Sequence, residues 1–330
     1  MIMQKCLFLI AFIIAAPAVL QAQFWHALPP VDSSHTLSAC FSNDEKKVFY
    51  LTKEGGVANI WGMTVADKYG RIIAGPANPP VQITKFTDRG IVRFFHLLNR
   101  PEILFMRLAD DGKDYHIYRI KDDGTEMQDL TPGTEGITNE IIGASYNGRF
   151  VYYTNNKVNR DKVDVYRYDT QQFSSDMVFP NDKDYKVLAW TRDQNKLLIE
   201  DSSTNSLMLY DIETTERTPV SVKTGEKISA VMLDPATLNV QVFDLLHNNQ
   251  AFPIDFSPNC KYMIDRESEK LVVKDAATNT NLDLKEDYRP LAIAPKETMM
   301  VYSLPSTGNA SKIFLYDIAK NSSTELATAH

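Results

Sequence analysis

The sequence predicts an all-β fold built from repeated four-stranded units, and three observations predict it. A short strand motif recurs six times in order, and a polar turn with a β-rich strand precedes most copies. Long amphipathic helical windows are absent after the first 22 residues. The motif is an apolar pair, a variable residue, another apolar residue, and then Asp or a polar equivalent. It reads Ile60-Trp61-Gly62-Met63-Thr64, Ile117-Tyr118-Arg119-Ile120-Lys121, Val165-Tyr166-Arg167-Tyr168-Asp169 and Leu207-Met208-Leu209-Tyr210-Asp211. It returns as Leu271-Val272-Val273-Lys274-Asp275, with Lys274 off pattern, and as Ile313-Phe314-Leu315-Tyr316-Asp317.

The motif ends fall 57, 48, 42, 64 and 42 residues apart. Units of roughly 40–50 residues with several short strands are the sequence sign of a propeller blade. One such blade cannot bury both faces alone, and radial stacking covers them while leaving only short, protected edges. The polar turns are 42–47, 145–149, 191–196 and 257–261, with a weaker version at 294–297. Their Asn, Asp, Gly and Pro residues tolerate or pre-set turn angles. The 64-residue interval holds two further strand-like runs, at 228–233 and 240–243, around a turn at Asp234-Pro235. It is half a blade without a third strand. The expectation is therefore a β-propeller of six or seven four-stranded blades, with seven preferred.

The N-terminal stretch reads as a targeting segment. Lys5 precedes a continuous apolar run of 15 residues, 6–20, and Leu20-Gln21-Ala22 places a small residue before the cut. A bilayer span needs about 20 residues, and this run is interrupted by Pro17. Residues 1–22 are thus expected to be a signal peptide, 23–36 a lead-in and 37–330 a single propeller domain, periplasmic or secreted, with no stable membrane span afterwards. Leu37-Ser38-Ala39-Cys40 has the form of a lipoprotein cleavage box, but it lies well past the apolar run and reads as a strand. Cys40 and Cys260 fall in different units, Cys40 on an inner-type strand and Cys260 in a turn, and are expected to remain unbridged. In that alignment Cys40 before Phe41 matches Asp255 before Phe256.

The worn Ser257-Pro258-Asn259 turn and the Tyr-Asp strand ends resemble the WD-like propeller repeats of TolB. They also resemble the N-terminal propeller of the prolyl oligopeptidase and dipeptidyl peptidase IV family, over about residues 37–326. Asn156-Lys157-Val158-Asn159-Arg160 leading to Asp164-Val165-Tyr166-Arg167 is closer to the peptidase propellers. In those peptidases the chemistry resides in a following α/β-hydrolase domain, whose Gly-x-Ser-x-Gly elbow this sequence lacks. Gly143-Ala144-Ser145-Tyr146-Asn147-Gly148 has the wrong spacing and falls on a blade turn. The chain acting alone is therefore not expected to be such a peptidase.

The formal net charge of −7 excludes nucleic acid as a partner, since phosphate binding needs a basic face. The six histidines, at 26, 35, 96, 116, 247 and 330, form no metal-ligand pair at short spacing. The acidic loops 110–114 and 122–124 lack the twelve-residue calcium pattern and read as hairpin turns. The aromatic residues sit in strands and are read as packing between blades. No residue is assigned a catalytic role, and no cofactor or metal is expected.

The least repetitive segment is the excursion 66–80, which interrupts the first unit after its third strand. Loops that depart from a scaffold often carry function, so Asp67, Lys68, Tyr69 and Arg71 are the candidate binding loop. The resulting expectation is an exported, non-catalytic propeller that binds a protein or peptide partner of the cell envelope. The alternative is the propeller part of a split prolyl oligopeptidase-type peptidase, or a small-molecule hydrolase working in the central funnel.

Overall fold

The computed structural model describes residues 38–329 except 55, 76, 98–99, 111, 113, 134–135, 138, 145–148, 184, 191–194, 205, 221–229, 234–239, 244–251, 257–260, 268–269, 285–286 and 307–309. The expected signal peptide, the lead-in, Trp25 and Cys260 lie outside the described residues.

Six four-stranded antiparallel sheets follow one another along the chain. The first is β1 (Ala39–Phe41), β2 (Lys47–Thr52), β3 (Asn59–Thr64) and β4 (Val81–Gln82). The second is β5 (Ile91–His96), β6 (Glu102–Leu108), β7 (Tyr115–Lys121) and β8 (Gln128–Asp129). The third is β9 (Asn139–Ala144), β10 (Phe150–Asn155), β11 (Asp164–Asp169) and β12 (Ser174–Phe179). The fourth is β13 (Tyr185–Trp190), β14 (Lys196–Asp201), β15 (Ser206–Asp211) and β16 (Arg217–Val220). A two-stranded sheet, β17 (Ala230–Leu233) and β18 (Val240–Phe243), comes next. The fifth blade is β19 (Phe252–Phe256), β20 (Tyr262–Glu267), β21 (Lys270–Asp275) and β22 (Thr280–Asn281). The sixth is β23 (Arg289–Ile293), β24 (Met299–Pro305), β25 (Ser311–Asp317) and β26 (Ser322–Ala329).

The protein is thus an all-β, six-bladed propeller. The preference for seven four-stranded blades is corrected here. The 64-residue interval does contain the two strands read from its sequence, but its described residues form only the β17–β18 hairpin, outside the six blades. All six motif copies occupy the third strand of their blades, as the repeat predicts. The predicted match of Cys40 with Asp255 also holds, because Phe41 opposes Val48 as Phe256 opposes Met263.

Each seam between blades is built by strand alternation. The next-to-last motif residue faces the preceding blade: Ile120 packs with the first, Tyr168 with the second, Tyr210 with the third and Tyr316 with the fifth. Tyr210 and Tyr316 hold corresponding positions, as expected, and are 2% and 3% exposed. The residue before it faces the following blade. At Gly62 that space is taken by the Phe49 ring, 2.9 Å from where a Cβ would stand. Aromatic rings fill the seams, with Phe105 stacked on Tyr118 at 5.3 Å and Phe179 edge-on to Tyr210 at 4.7 Å. Complete burial of side chains of this size contributes roughly 1.5–3 kcal/mol each.

The motif Asp has a local reason. Asp169, Asp211 and Asp275 each accept two backbone N–H bonds from the next turn through Oδ1. Lys196, opposite Asp211 in the second strand, and Arg149, just before the second strand of its blade, take the other oxygen of Asp211 and Asp169. The hydrogen bond and charge of Lys196 hold the Asp211 carboxyl down at about 2. Where the fourth strand is only two residues long, a hydroxyl replaces the missing ladder acceptor. Thr84, Thr131 and Tyr288 accept the N–H of Ile60, Ile117 and Val273 at 2.8–2.9 Å. An unpaired buried N–H would otherwise cost about 1–3 kcal/mol.

The ring closes without strand exchange among the described residues, since every strand of the first and sixth blades pairs within its own sheet. Closure rests on side chains. Phe41, Val48, Tyr50, Met63 and Val65 of the first blade form one buried cluster with Val301, Ile313, Leu315 and Leu326 of the sixth.

Candidate functional site

Successive antiparallel strands place the β1–β2 and β3–β4 connections of every blade at the same end of the ring. At this end the first and sixth blades meet around an open cleft of about 540 Å³. Its walls are the β1–β2 turn (Asp44, Glu45, Lys46), the β3–β4 excursion (Ala66, Lys68, Tyr69, Gly70, Ile72) and, from the sixth blade, Lys296, Thr298, Met299 and Asp317.

The two turns are built alike. Glu45 and Glu297 take positive φ angles of 62° and 60°, at the position where the turn pattern calls for Gly. Each also donates its backbone N–H to the carbonyl three residues earlier, Ser42 and Ala294. Such a conformation costs a non-glycine residue about 1–2 kcal/mol. The Glu side chain offsets that cost by reaching the neighbouring blade. Glu45 Oε1 accepts the Lys296 N–H, and Glu45 Oε2 accepts the Thr298 hydroxyl at 3.1 Å. Glu297 makes the same kind of contact one blade earlier, accepting the Lys261 N–H at 3.3 Å. Both carboxylates are buried.

The predicted binding loop has a defined shape. Ala66 and Ile72 bridge its base, and Asp67 organises its tip. Asp67 Oδ1 accepts the N–H of Tyr69 at 2.8 Å and of Arg71 at 3.0 Å, while Oδ2 takes Arg71 Nε at 2.7 Å. Burial raises the Asp67 carboxyl, but these bonds and the Arg71 charge outweigh it and hold the group below its usual range. The loop holds the Tyr69 ring out into solvent, 71% exposed, with Lys68 Nζ 4.9 Å and Arg71 Cζ 5.4 Å from its centroid. Of the four predicted residues, Lys68 and Tyr69 line the cleft, while Asp67 and Arg71 brace the loop from outside the lining. Glu45, Lys296 and Thr298 were not foreseen as site residues. The available signal was an acidic residue, twice, where a tight turn ordinarily takes Gly.

A second polar group lies at the seam between the first and second blades. His96 is 5% exposed and stacks on Phe49 at 5.5 Å, with Asp122 3.7 Å from Nε2 and Lys47 3.1 Å from the same Asp122 oxygen. Burial lowers the His96 pKa, only partly countered by Asp122, so the ring is neutral at pH 7. Burial also pushes the neighbouring free Cys40 thiol up to about 12, which leaves it without nucleophilic character. Across the acidic loop, Ala109 N–H donates to Asp114 O at 2.8 Å, and Gly112 takes a positive φ. Among the described residues no three His, Cys, Asp or Glu side chains group as metal ligands.

The described residues form a six-bladed propeller with a loop-lined cleft where its first and sixth blades meet. No protein-family model matches the sequence, and no curated protein matches it. Among solved structures, a prolyl endopeptidase matches with a TM-score of 0.58 at 10% identity, over 90% of this chain and 50% of its own. TolB from Acinetobacter baumannii matches over 87% of this chain and 66% of its own, at 13% identity and a TM-score of 0.45. A TolB from Agrobacterium tumefaciens covers 88% and 80%, at 14% identity and a TM-score of 0.42. This chain spans half the length of the prolyl endopeptidase. The likeness to the prolyl endopeptidase, at 10% identity, concerns the fold alone, and propeller architecture does not specify function.

Proposed function

We propose that this chain is an exported recognition module that binds a protein or peptide of the cell envelope at the cleft between its first and sixth blades. The reading is carried by one observation: the only long non-repeating connection in the first blade forms a wall of that cleft and displays Tyr69 and Lys68 on a braced loop. Tyrosine is among the favoured anchors at protein interfaces. Export rests on the apolar run and small-residue cut at residues 6–22.

The test is site-specific photocrosslinking in envelope extracts, with a benzophenone amino acid replacing Tyr69. One defined protein adduct, competed by unlabelled wild-type chain, is expected. No adduct at Tyr69, together with a strong thermal shift from small molecules, would replace this reading with the small-molecule alternative.

A further inference from the structure

We infer that the cleft selects carboxylate side chains, so that its occupant is an acidic peptide segment seated between Lys68 and Lys296. This inference rests on the recognition reading above and names the chemistry of the partner. The charges on the cleft wall decide it. Asp44 holds Lys46 at 3.0 Å, and Asp317 holds Lys320 at 2.6 Å. Both oxygens of Glu45 are taken by the Lys296 N–H and the Thr298 hydroxyl. The acids of the wall are therefore engaged, whereas the ammonium groups of Lys68 and Lys296 have no carboxylate partner among the described residues. Both side chains are exposed. On a chain of net charge −7, this places two lysine ammonium groups without a carboxylate partner on one open cleft, where the one carboxylate not paired with a lysine, Glu45, is buried and turned to the neighbouring blade's N–H and hydroxyl.

The kind of anion follows from which cations are available. Phosphate is best held by the guanidinium fork, and Arg71, the one arginine of this loop, already spends Nε and one of its two terminal nitrogens on Asp67. The two lysines offer point charges instead, which suit single carboxylates. The same cleft is lined by the exposed Tyr69 ring and half-buried Ile72, over buried Ala66 and Met299. A segment that alternates acidic with apolar or aromatic residues therefore matches the wall better than a bare anion does. Complementary charge of this kind chiefly sets specificity and encounter rate.

The experiment uses the exported chain with its lysines reductively dimethylated with ¹³C, the Lys68 and Lys296 signals being assigned through Lys68→Arg and Lys296→Arg. Three probes are titrated: a blocked hexapeptide with two glutamates flanking a phenylalanine, its glutamine counterpart, and inorganic phosphate alone. The glutamate peptide should move both signals and bind roughly fivefold or more tightly than the glutamine peptide, the effect of one modest ion pair. The Lys68→Gln/Lys296→Gln variant should keep its melting temperature and lose the preference. Equal binding of the two peptides, preference for phosphate, or shifts confined to other lysines would overturn the inference. The outcomes separate from the parent reading. A Tyr69 crosslink that persists in the double variant leaves recognition standing and removes carboxylate selection, whereas absence of a Tyr69 crosslink with both lysines in place removes the recognition reading itself.

Discussion

Met63 and Lys274 occupy the same register position in the first and fifth blades, opposite Val48 and Met263, yet the faces around them are built in opposite ways. Met63 packs into the closing seam among Val301, Leu315 and Leu326 of the sixth blade. Val273 points to the sixth blade, so Lys274 points to the opposite face of its sheet. There Lys274 is buried and held at 2.9 Å by Asp265 of its own sheet, which is also buried. A full blade offers its neighbour an apolar face, and that face selects Met, Ile or Tyr. The corresponding position of the fifth blade instead carries a charge paired within its own sheet.

The comparison breaks most severely if the sixth blade is removed. Deleting 290–330 exposes the apolar faces of the first and fifth blades at once, and nearest-neighbour packing is all that stabilises either. Aggregated protein is the expected product, and a monomeric, cooperatively melting truncation in sedimentation and calorimetry would contradict the closed ring.

Exchanging the two chemistries comes next. Tyr50 stands in the first blade where Asp265 stands in the fifth, so Met63→Lys would bury an uncompensated charge and lose on the order of 4 kcal/mol. Lys274→Met strands Asp265 and should cost about 3 kcal/mol, whereas Lys274→Met with Asp265→Val should recover most of that loss. Urea unfolding of the four proteins measures these differences. A double variant no better than the single one would show that the pair has a role beyond self-neutralisation.

A smaller effect separates the closing latch from ordinary turns. Thr215 has a positive φ of 62° in a β3–β4 type turn, so Thr215→Gly should be neutral or stabilising by up to about 1 kcal/mol. Glu45→Gly relieves the same strain but removes both acceptors across the seam, and should destabilise by roughly 1–2 kcal/mol. Equal responses at the two sites in chemical denaturation would remove the latch from the account.

The smallest effect is one of pH. The folded-state pKa of His96 is lowered below its ordinary 6.5, so the unfolded chain binds the proton more readily. The stability this group supports is complete above about pH 6.5 and declines as pH falls from there through the lowered folded value. Asp122, Lys47 and the Cys40 thiol are the ionisable groups around it. In His96→Phe, which keeps the stack on Phe49, melting temperature should fall less between pH 7 and pH 5 than in wild type. An unchanged slope would assign the acid sensitivity elsewhere.

Much of this was legible in the sequence because blade strands are local. The six motifs, the β17 and β18 runs and the seam positions of Tyr210 and Tyr316 all follow from alternation within a few residues. The excursion 66–80 was visible as a break in the repeat. Blade number was harder, because a strand pair reads the same whether or not two more strands complete it. The sixth-blade half of the cleft could not be read at all. Lys296 and Thr298 meet Glu45 across some 250 residues of chain, and no local pattern encodes a contact made only when the ring closes. Lys274 was visible as an exception, but its partner Asp265 lies in the adjacent strand, where nothing in the motif points to it.

Closure at this seam is the claim on which both the fold and the site depend, and lysine crosslinking on the monomer tests it most directly. Lys46, Lys68 and Lys296 line one cleft from opposite ends of the sequence. With a short amine-reactive spacer and peptide mapping, links from Lys296 to Lys46 or Lys68 should be among the most abundant long-range products. Their absence, in protein whose Lys312 and Lys320 react normally, would contradict a ring closed between the first and sixth blades.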